Sequence, residues 1–228
     1  MAEALAAQVT LVEAAASSRF GRTATERGLL DEIVRRGVPV RRLDEWLLSS
    51  LSELEASPGL LAIAERPRFD EAALFRDSAL ILIAVGVQNP GNLGALLRTA
   101  EAAGATGAYL TSGCADPFSW KALRGSMGSA FRLSHVGGLS GAEAMQRARA
   151  RGLQALATEP TAPVAYDEVD LTRPTALLVG AEGSGLPAAL AAAADVRVRV
   201  PMRPPVESLN LSVASGVILF EAARQRRR

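Results

Sequence analysis

One cysteine (Cys114), one histidine (His135) and one lysine (Lys121) occur in 228 residues, and aromatic side chains make up only 4%. A single thiol allows no intrachain disulfide, and with one histidine it supplies no zinc-type ligand set, so a reducing, cytoplasmic location is expected. A lone histidine excludes a Ser-His-Asp or Cys-His nucleophile site without unusual substitutes. Lys121 follows no glycine loop, which excludes phosphate-loop nucleotide hydrolysis. The carboxylates show no metal-ligand spacing, so no metal is expected. Long apolar runs are missing too: 79-ALILIAVGV-87 is far short of the ~18 residues of a membrane span, and the first residues lack the basic region and apolar core of a leader. Neither secretion nor a membrane is expected. The 25 basic and 24 acidic residues leave a formal charge of +1, which excludes a uniformly basic nucleic-acid coat and confines any RNA or DNA surface to a local patch.

What is present is a folded composition, 49% hydrophobic and 21% charged. Residues 25–36 carry Leu29, Leu30, Ile33 and Val34 on one helical face, followed by a strand at 38–43, a helix from a cap at Asp44 through Leu54, a break at Pro58-Gly59 and a strand at 60–65. This predicts a small α/β domain over 1–66. Residues 67–77, charged and aperiodic, read as the linker to a second domain over 78–228. There, strands are expected at 79–85, 108–111, 132–136, 153–158, 175–179 and 196–200, alternating with helices at 93–103, 141–151 and 209–225. Apolar strands alternating with helices predict an α/β fold with a parallel sheet covered on both faces.

Three segments carry the chemistry. In 89-NPGNLGALLRTAEAAG-104 a polar loop feeds a helix at a strand's carboxyl end, where ligands of open α/β sheets bind, and Arg98 sits within reach of an anion or hydroxyl. Taken alone, this is equally a turn with an asparagine cap. In 177-LLVGAEGSGLP-187 the glycine order is G-x-x-G-x-G, which departs from the dinucleotide fingerprint G-x-G-x-x-G, and Glu182 would repel a pyrophosphate. Its glycines are read as letting the chain pass close to a ligand. In 200-VPMRPPVESLNLSVA-214 a proline-rich loop presents Glu207, Ser208 and Asn210 before the last helix; Ser208 or Asn210 serves as its cap, and the group supplies donors and acceptors for a polar ligand.

In this order and spacing the three segments resemble the motifs of the SpoU (TrmH) branch of the SPOUT superfamily, S-adenosylmethionine-dependent RNA ribose 2′-O-methyltransferases. Asn92, Gly94 and Arg98-Thr99-Ala100 match the first motif, Gly180, Glu182, Gly183 and Gly185-Leu186 the second, and Pro201-Met202 with 206-VESLNLSVA-214 the third. The segment 121-KALRGSMGSAFRL-133 also matches, and the likeness covers about residues 78 to 226. Ala181 replaces the family's usual asparagine. The N-terminal unit resembles the family's ribosomal-protein-like substrate-binding domain, shortened by its first helix and strand.

The resemblance implies a deep trefoil knot, a homodimer paired through the last helix, S-adenosylmethionine as cofactor and rRNA or tRNA as substrate. It implies catalytic roles for Asn92, Arg98, Glu182, Ser208 and Asn210, and adenosine contacts from the backbone of Gly180, Val200, Met202 and Leu209. A guanidinium does not release a proton near neutral pH, so Arg98 is expected to stabilise the ribose alkoxide or grip a phosphate while water takes the proton. Glu182 would orient Arg98 or the pocket, and Ser208 and Asn210 would hold loop and substrate. Phosphate contacts are expected from Arg124 and Arg203, with the pairs at 35–36 and 41–42 and the 226–228 tail as further candidates. Val213, Val217, Ile218 and Leu219 form an apolar stripe wider than one chain's sheet needs, so part of it is expected to be buried by pairing of two chains. Two other readings fit the same segments: a non-catalytic RNA- or cofactor-binding protein of this fold, and a doubly wound oxidoreductase using the 180–185 loop.

Overall fold

A computed structural model describes residues 1–52 and 59–227, and the chain divides into two compact units, Met1–Arg68 and Phe69–Arg228. In the first unit α1 (Ala2–Ala6), β1 (Leu11–Ser17), α2 (Ala24–Arg35), β2 (Val40–Leu43), α3 (Glu45–Ser50) and β3 (Leu60–Ala64) build a three-stranded sheet of order β2-β1-β3. Strand β1 pairs parallel with β2 and antiparallel with β3. Leu30 and Ile33 of α2 pack with Ala14, Ala16 and Leu60 of the sheet. A capping box fixes the start of α2: Thr23 Oγ1 accepts the Glu26 N–H at 3.2 Å, and Glu26 accepts the Thr23 N–H at 3.0 Å. A helix and a strand thus precede residue 25, ahead of the first element expected from the sequence; Val12 is the one β-branched residue of the central strand, and Ala14–Ala16 weaken its signal. Helix α3 ends at Ser50, and the expected continuation to Leu54 and the break at Pro58 lie outside the described residues.

The second unit contains β4 (Leu80–Ala84), α4 (Pro90–Ala102), β5 (Gly107–Thr111), α5 (Trp120–Ser126), α6 (Ser129–Arg132), β6 (His135–Leu139), α7 (Gly141–Ala150), β7 (Gln154–Thr158), β8 (Val164–Ala165), β9 (Thr175–Val179), α8 (Ala188–Ala192), β10 (Val196–Arg199) and α9 (Leu211–Arg226). Its seven strands run in the order β6-β5-β4-β9-β7-β10-β8, and every pairing is parallel. All five residues of β4 are buried, and they alternate: Leu80, Leu82 and Ala84 join the core under α4 and α9, while Ile81 and Ile83 join the core under α7 and α8.

Two segments depart from expectation. Residues 71–75, inside the expected linker, form a 3-10 turn whose Leu74 is buried, and Tyr109 donates its hydroxyl proton to Glu71, which also accepts two bonds from Arg147. The strand expected at 132–136 begins only at His135, because Met127 and Gly128, with φ of 47° and 92°, reverse the chain into the short helix α6.

Close packing sets the position of α4. A Cβ on Gly94 would lie 2.3 Å from the Ala122 carbonyl oxygen, so only glycine lets α4 and α5 meet backbone to backbone. On its other side α4 packs on α9. The end of α9 is tied down: Gln225 accepts the Leu171 N–H at 2.8 Å, and the Arg226 guanidinium donates to the carbonyls of Ser78, Leu171 and Arg173 at 2.6–2.7 Å.

Candidate cofactor cleft and active site

Three loops meet beyond the carboxyl ends of β7, β9 and β10. After β9 the chain closes on itself, with Ala181 and Gly185 forming an isolated bridge in which the Gly185 N–H donates to the Ala181 carbonyl at 2.9 Å. A Cβ on Gly180 would sit 2.1 Å from the Gly185 carbonyl carbon and 2.3 Å from the Leu186 nitrogen. Gly180 is therefore required by the closure of its own loop, whatever else it does at the cleft.

The second and third motifs line a cavity of about 600 Å³ at these strand ends, the size of a small-molecule site. Val198, Val200, Met202, Leu211 and Ile218 supply aliphatic walls, and Glu159, Glu182, Ser208 and Asn210 are polar lining groups. Gly180 and Leu209 complete the nominated residues found in the lining. Glu159 lies outside all three motifs; its place one residue past β7, at a strand's carboxyl end, is the signal that could have found it.

At the mouth, Glu182 joins the three motifs. Asn92 Nδ2 donates to Glu182 Oε1, and Asn210 Nδ2 donates to the same oxygen at 3.3 Å and, in a longer contact, to Asn92 Oδ1 at 3.4 Å. Local structure holds both amides. Asn89 caps α4 by accepting the N–H groups of Gly91 and Asn92 at 2.9 and 3.2 Å, which fixes the first turn carrying Asn92. Asn210 caps α9 by accepting the Ser212 N–H at 3.0 Å, and Ser212 Oγ reaches the Asn92 carbonyl at 3.4 Å. Asn210 is thus both helix cap and junction residue.

Arg98 is not brought to Glu182. Six residues beyond Asn92 at 3.6 residues per turn, it lies on a different face of α4, exposed and outside the cleft lining. Of the two roles expected of Glu182, orienting Arg98 or the pocket, its bonds to the two asparagine amides fit the second. Arg98, Arg124 and Arg203 are exposed, and their guanidinium groups pair with no side chain or carbonyl among the described residues. Most of the other nominated arginines are engaged within the chain. Arg35 and Arg36 pair with Glu32, Arg41 pairs with Glu13, and Arg42 donates to the carbonyls of Ser17 and Phe20. Arg226 is committed to backbone carbonyls, and Arg228 lies outside the described residues. Among the described residues no cluster of three His, Cys, Asp or Glu side chains could hold a metal, and no helix is long and apolar enough to cross a membrane.

The core of the unit takes up only part of the apolar stripe of α9. Ile218 and Leu219 are buried at 3% and 0% exposure, whereas Val213 and Phe220 are 54% and 45% exposed. The helix is apolar on two sides, and the core takes only one.

A parallel sheet with a mostly apolar cleft carrying a few polar groups at its strand ends defines the class of α/β proteins with a small-molecule site there. Comparison with known proteins gives that class a family. The SpoU rRNA Methylase family matches residues 79–220. An uncharacterized tRNA/rRNA methyltransferase of Synechocystis sp. is 43% identical over 145 residues, 64% of this chain and 53% of that protein, so the match spans little more than half of it. The 23S rRNA (guanosine(2553)-2′-O)-methyltransferase RlmP of Bacillus subtilis is 33% identical over 184 residues, 81% of this chain and 72% of that one. Among solved structures, the SpoU methyltransferase AviRb of Streptomyces viridochromogenes, in complex with AdoMet, has a TM-score of 0.86 at 29% identity and covers 99% of this chain and 87% of its own. The chain belongs to the SpoU family of S-adenosylmethionine-dependent RNA 2′-O-methyltransferases.

The lining fits that cofactor. Aliphatic walls suit an adenine ring, and carboxylates, a hydroxyl and an amide suit ribose hydroxyls and a cationic amino-acid end.

Proposed function

We propose that the protein methylates a ribose 2′-OH in ribosomal RNA, in the cytoplasm and as a homodimer. The observation that carries this reading is the junction of Asn92, Glu182 and Asn210 at the mouth of the cleft. The 23S rRNA activity named for the Bacillus subtilis relative favours ribosomal over transfer RNA.

Bound in the cleft, S-adenosylmethionine supplies a methyl group on a positively charged sulfur. The chain's own task is to hold the ribose hydroxyl in line and to manage its proton. Val198, Val200 and Met202 hold the adenine and exclude water. The backbone of Gly180 and Leu209 contacts the adenosine, and Ser208 and Asn210 fix loop and substrate. Glu182, tied by two amides, sets the relative position of the three motifs.

Arg98 acts from the RNA side. A guanidinium without a partner among the described residues suits a group reserved for substrate: it stabilises the oxygen as the proton departs to water, or grips the neighbouring phosphate. Arg124 and Arg203 add phosphate contacts, and the N-terminal unit binds a further part of the RNA. The apolar side of α9 with Val213 and Phe220 supports pairing of two copies through this helix. The packing of α9 on α4 and the ties of its end to residues 171–173 are compatible with the knotted path implied by the family.

Incubation with methyl-labelled S-adenosylmethionine should label RNA and leave DNA of the same sequence unlabelled. Label entering DNA, or cofactor binding without any RNA labelling, would overturn this reading, the latter in favour of a non-catalytic binder. In thermal unfolding, S-adenosylmethionine should raise Tm and NAD should not; stabilisation by NAD alone would restore the oxidoreductase reading.

A further inference from the structure

The cleft holds two carboxylates, Glu159 and Glu182, and its described lining includes no arginine, lysine or histidine. Glu182 is engaged by the two asparagine amides, whereas Glu159 has no part in the mechanism above. Its backbone N–H donates to the Val198 carbonyl at 3.0 Å, a β7–β10 type of contact that fixes its position at the edge of the cleft. Its carboxylate is 26% exposed, and its nearest cation is the Arg197 guanidinium at 3.7 Å, itself half exposed and outside the lining. Such a pair in contact with solvent neutralises the carboxylate only in part.

We infer that Glu159 is a specificity residue that favours S-adenosylmethionine over its demethylated product, S-adenosylhomocysteine, by charge. The inference rests on the methyltransferase reading. The two molecules share adenine, ribose and amino-acid end, so aliphatic walls and hydrogen-bonding groups treat them alike. They differ by one methyl group and one positive charge. When methyl transfer breaks the sulfur–carbon bond, the electron pair stays on sulfur, the O–CH3 bond forms and the hydroxyl proton leaves to solvent; the product in the cleft is neutral at sulfur. A fixed anion in a partly desolvated cleft therefore attracts the cation before the reaction and loses that attraction after it, which favours exchange of product for fresh cofactor.

Calorimetric titration of the full chain with S-adenosylmethionine and, separately, S-adenosylhomocysteine tests this. Glu159→Gln should weaken S-adenosylmethionine about fivefold and leave S-adenosylhomocysteine within about 1.5-fold of wild type, an effect that shrinks at high salt. Arg197→Gln, which removes the partial counter-charge, should shift the preference about twofold in the opposite direction. Equal weakening of both ligands by Glu159→Gln would mean that Glu159 holds a shared group such as the ribose hydroxyls, and the inference falls. No change in either ligand, or no opposite shift in Arg197→Gln, also overturns it. Wild-type protein that binds neither molecule would remove the methyltransferase reading itself, a failure visible before any variant is made.

Discussion

Gly180→Ala separates a glycine kept for the loop's own closure from one kept for a ligand. The added Cβ would lie 2.1 Å from the Gly185 carbonyl carbon, 2.3 Å from its oxygen and 2.3 Å from the Leu186 nitrogen, where real contacts stay above 3.0 Å. All three obstacles are backbone atoms, so no side-chain rotamer relieves them and the loop has to move by about 1 Å. Overpacking of this kind costs roughly 1–3 kcal/mol, and three simultaneous backbone clashes put this case near about 3 kcal/mol. In a unit of this size that lowers Tm by about 6–12 °C. Displacement of the loop also carries Glu182 away from Asn92 and Asn210, so S-adenosylmethionine affinity should fall about tenfold or more. Gly183→Ala is the control: no atom lies within 4 Å of the new Cβ, and only its φ of 84° is strained, at about 1 kcal/mol and about 2–4 °C. Scanning calorimetry and titration of the same samples give both readouts. A Gly180→Ala protein with wild-type Tm and abolished cofactor binding would refute the reasoning, because it would show the space to be kept for the ligand.

Arg98→Ala should lower kcat for RNA methylation about 100-fold or more while cofactor Kd stays within about twofold, and Arg98→Lys should recover little of the loss because the forked contact is gone; a parallel loss of cofactor affinity would place Arg98 inside the cleft. Light scattering at low micromolar concentration should report about twice 23.8 kDa, and Val213→Asp or Phe220→Asp should reduce this to a single chain; an unchanged dimer in both variants would locate the interface elsewhere. Burial among Phe69, Phe118 and neighbouring residues holds the His135 imidazole below its ordinary value of 6.5, against the opposing pull of the Leu133 carbonyl and Asp116. The unfolded chain therefore takes up the proton more readily, so stability is full above about pH 6.5 and declines as the pH falls below it. In His135→Phe the slope of Tm between about pH 6.5 and 5.5 should flatten, and a slope identical to wild type would assign the decline to other groups.

Much of the methyltransferase unit was legible because its strands are continuous apolar runs. Residues 80–84 and 175–179 are buried on both faces, as the central strands of a covered parallel sheet are. The cleft's motifs were legible as loops at strand ends, and Asn210 as a helix cap. Spacing along the chain did not reveal which polar groups pair. Asn92, Glu182 and Asn210 are about 90 and 28 residues apart, and only the sheet order β4-β9-β7-β10 brings their loops together. Arg98 was linked to Glu182 through motif membership, whereas the helical repeat separates it from Asn92. Strand β1, with three alanines and Val12 as its one β-branched residue, gives a weak signal and is defined by its partners on either side. The apolar surplus of α9 is legible in the sequence, but which of its residues stay open is not, because all of them read alike until the core has selected one side.

Analysis of alkali-resistant linkages tests the central claim most directly. Total ribosomal RNA from a strain lacking the protein is incubated with the protein and methyl-labelled S-adenosylmethionine, then hydrolysed with alkali, and the products are separated. A methylated 2′-oxygen cannot attack its own phosphate, so the account predicts label in dinucleotides that survive hydrolysis, dependent on Arg98 and Glu182. Label confined to mononucleotides carrying a methylated base would contradict ribose methylation while leaving the fold and the cofactor cleft as described.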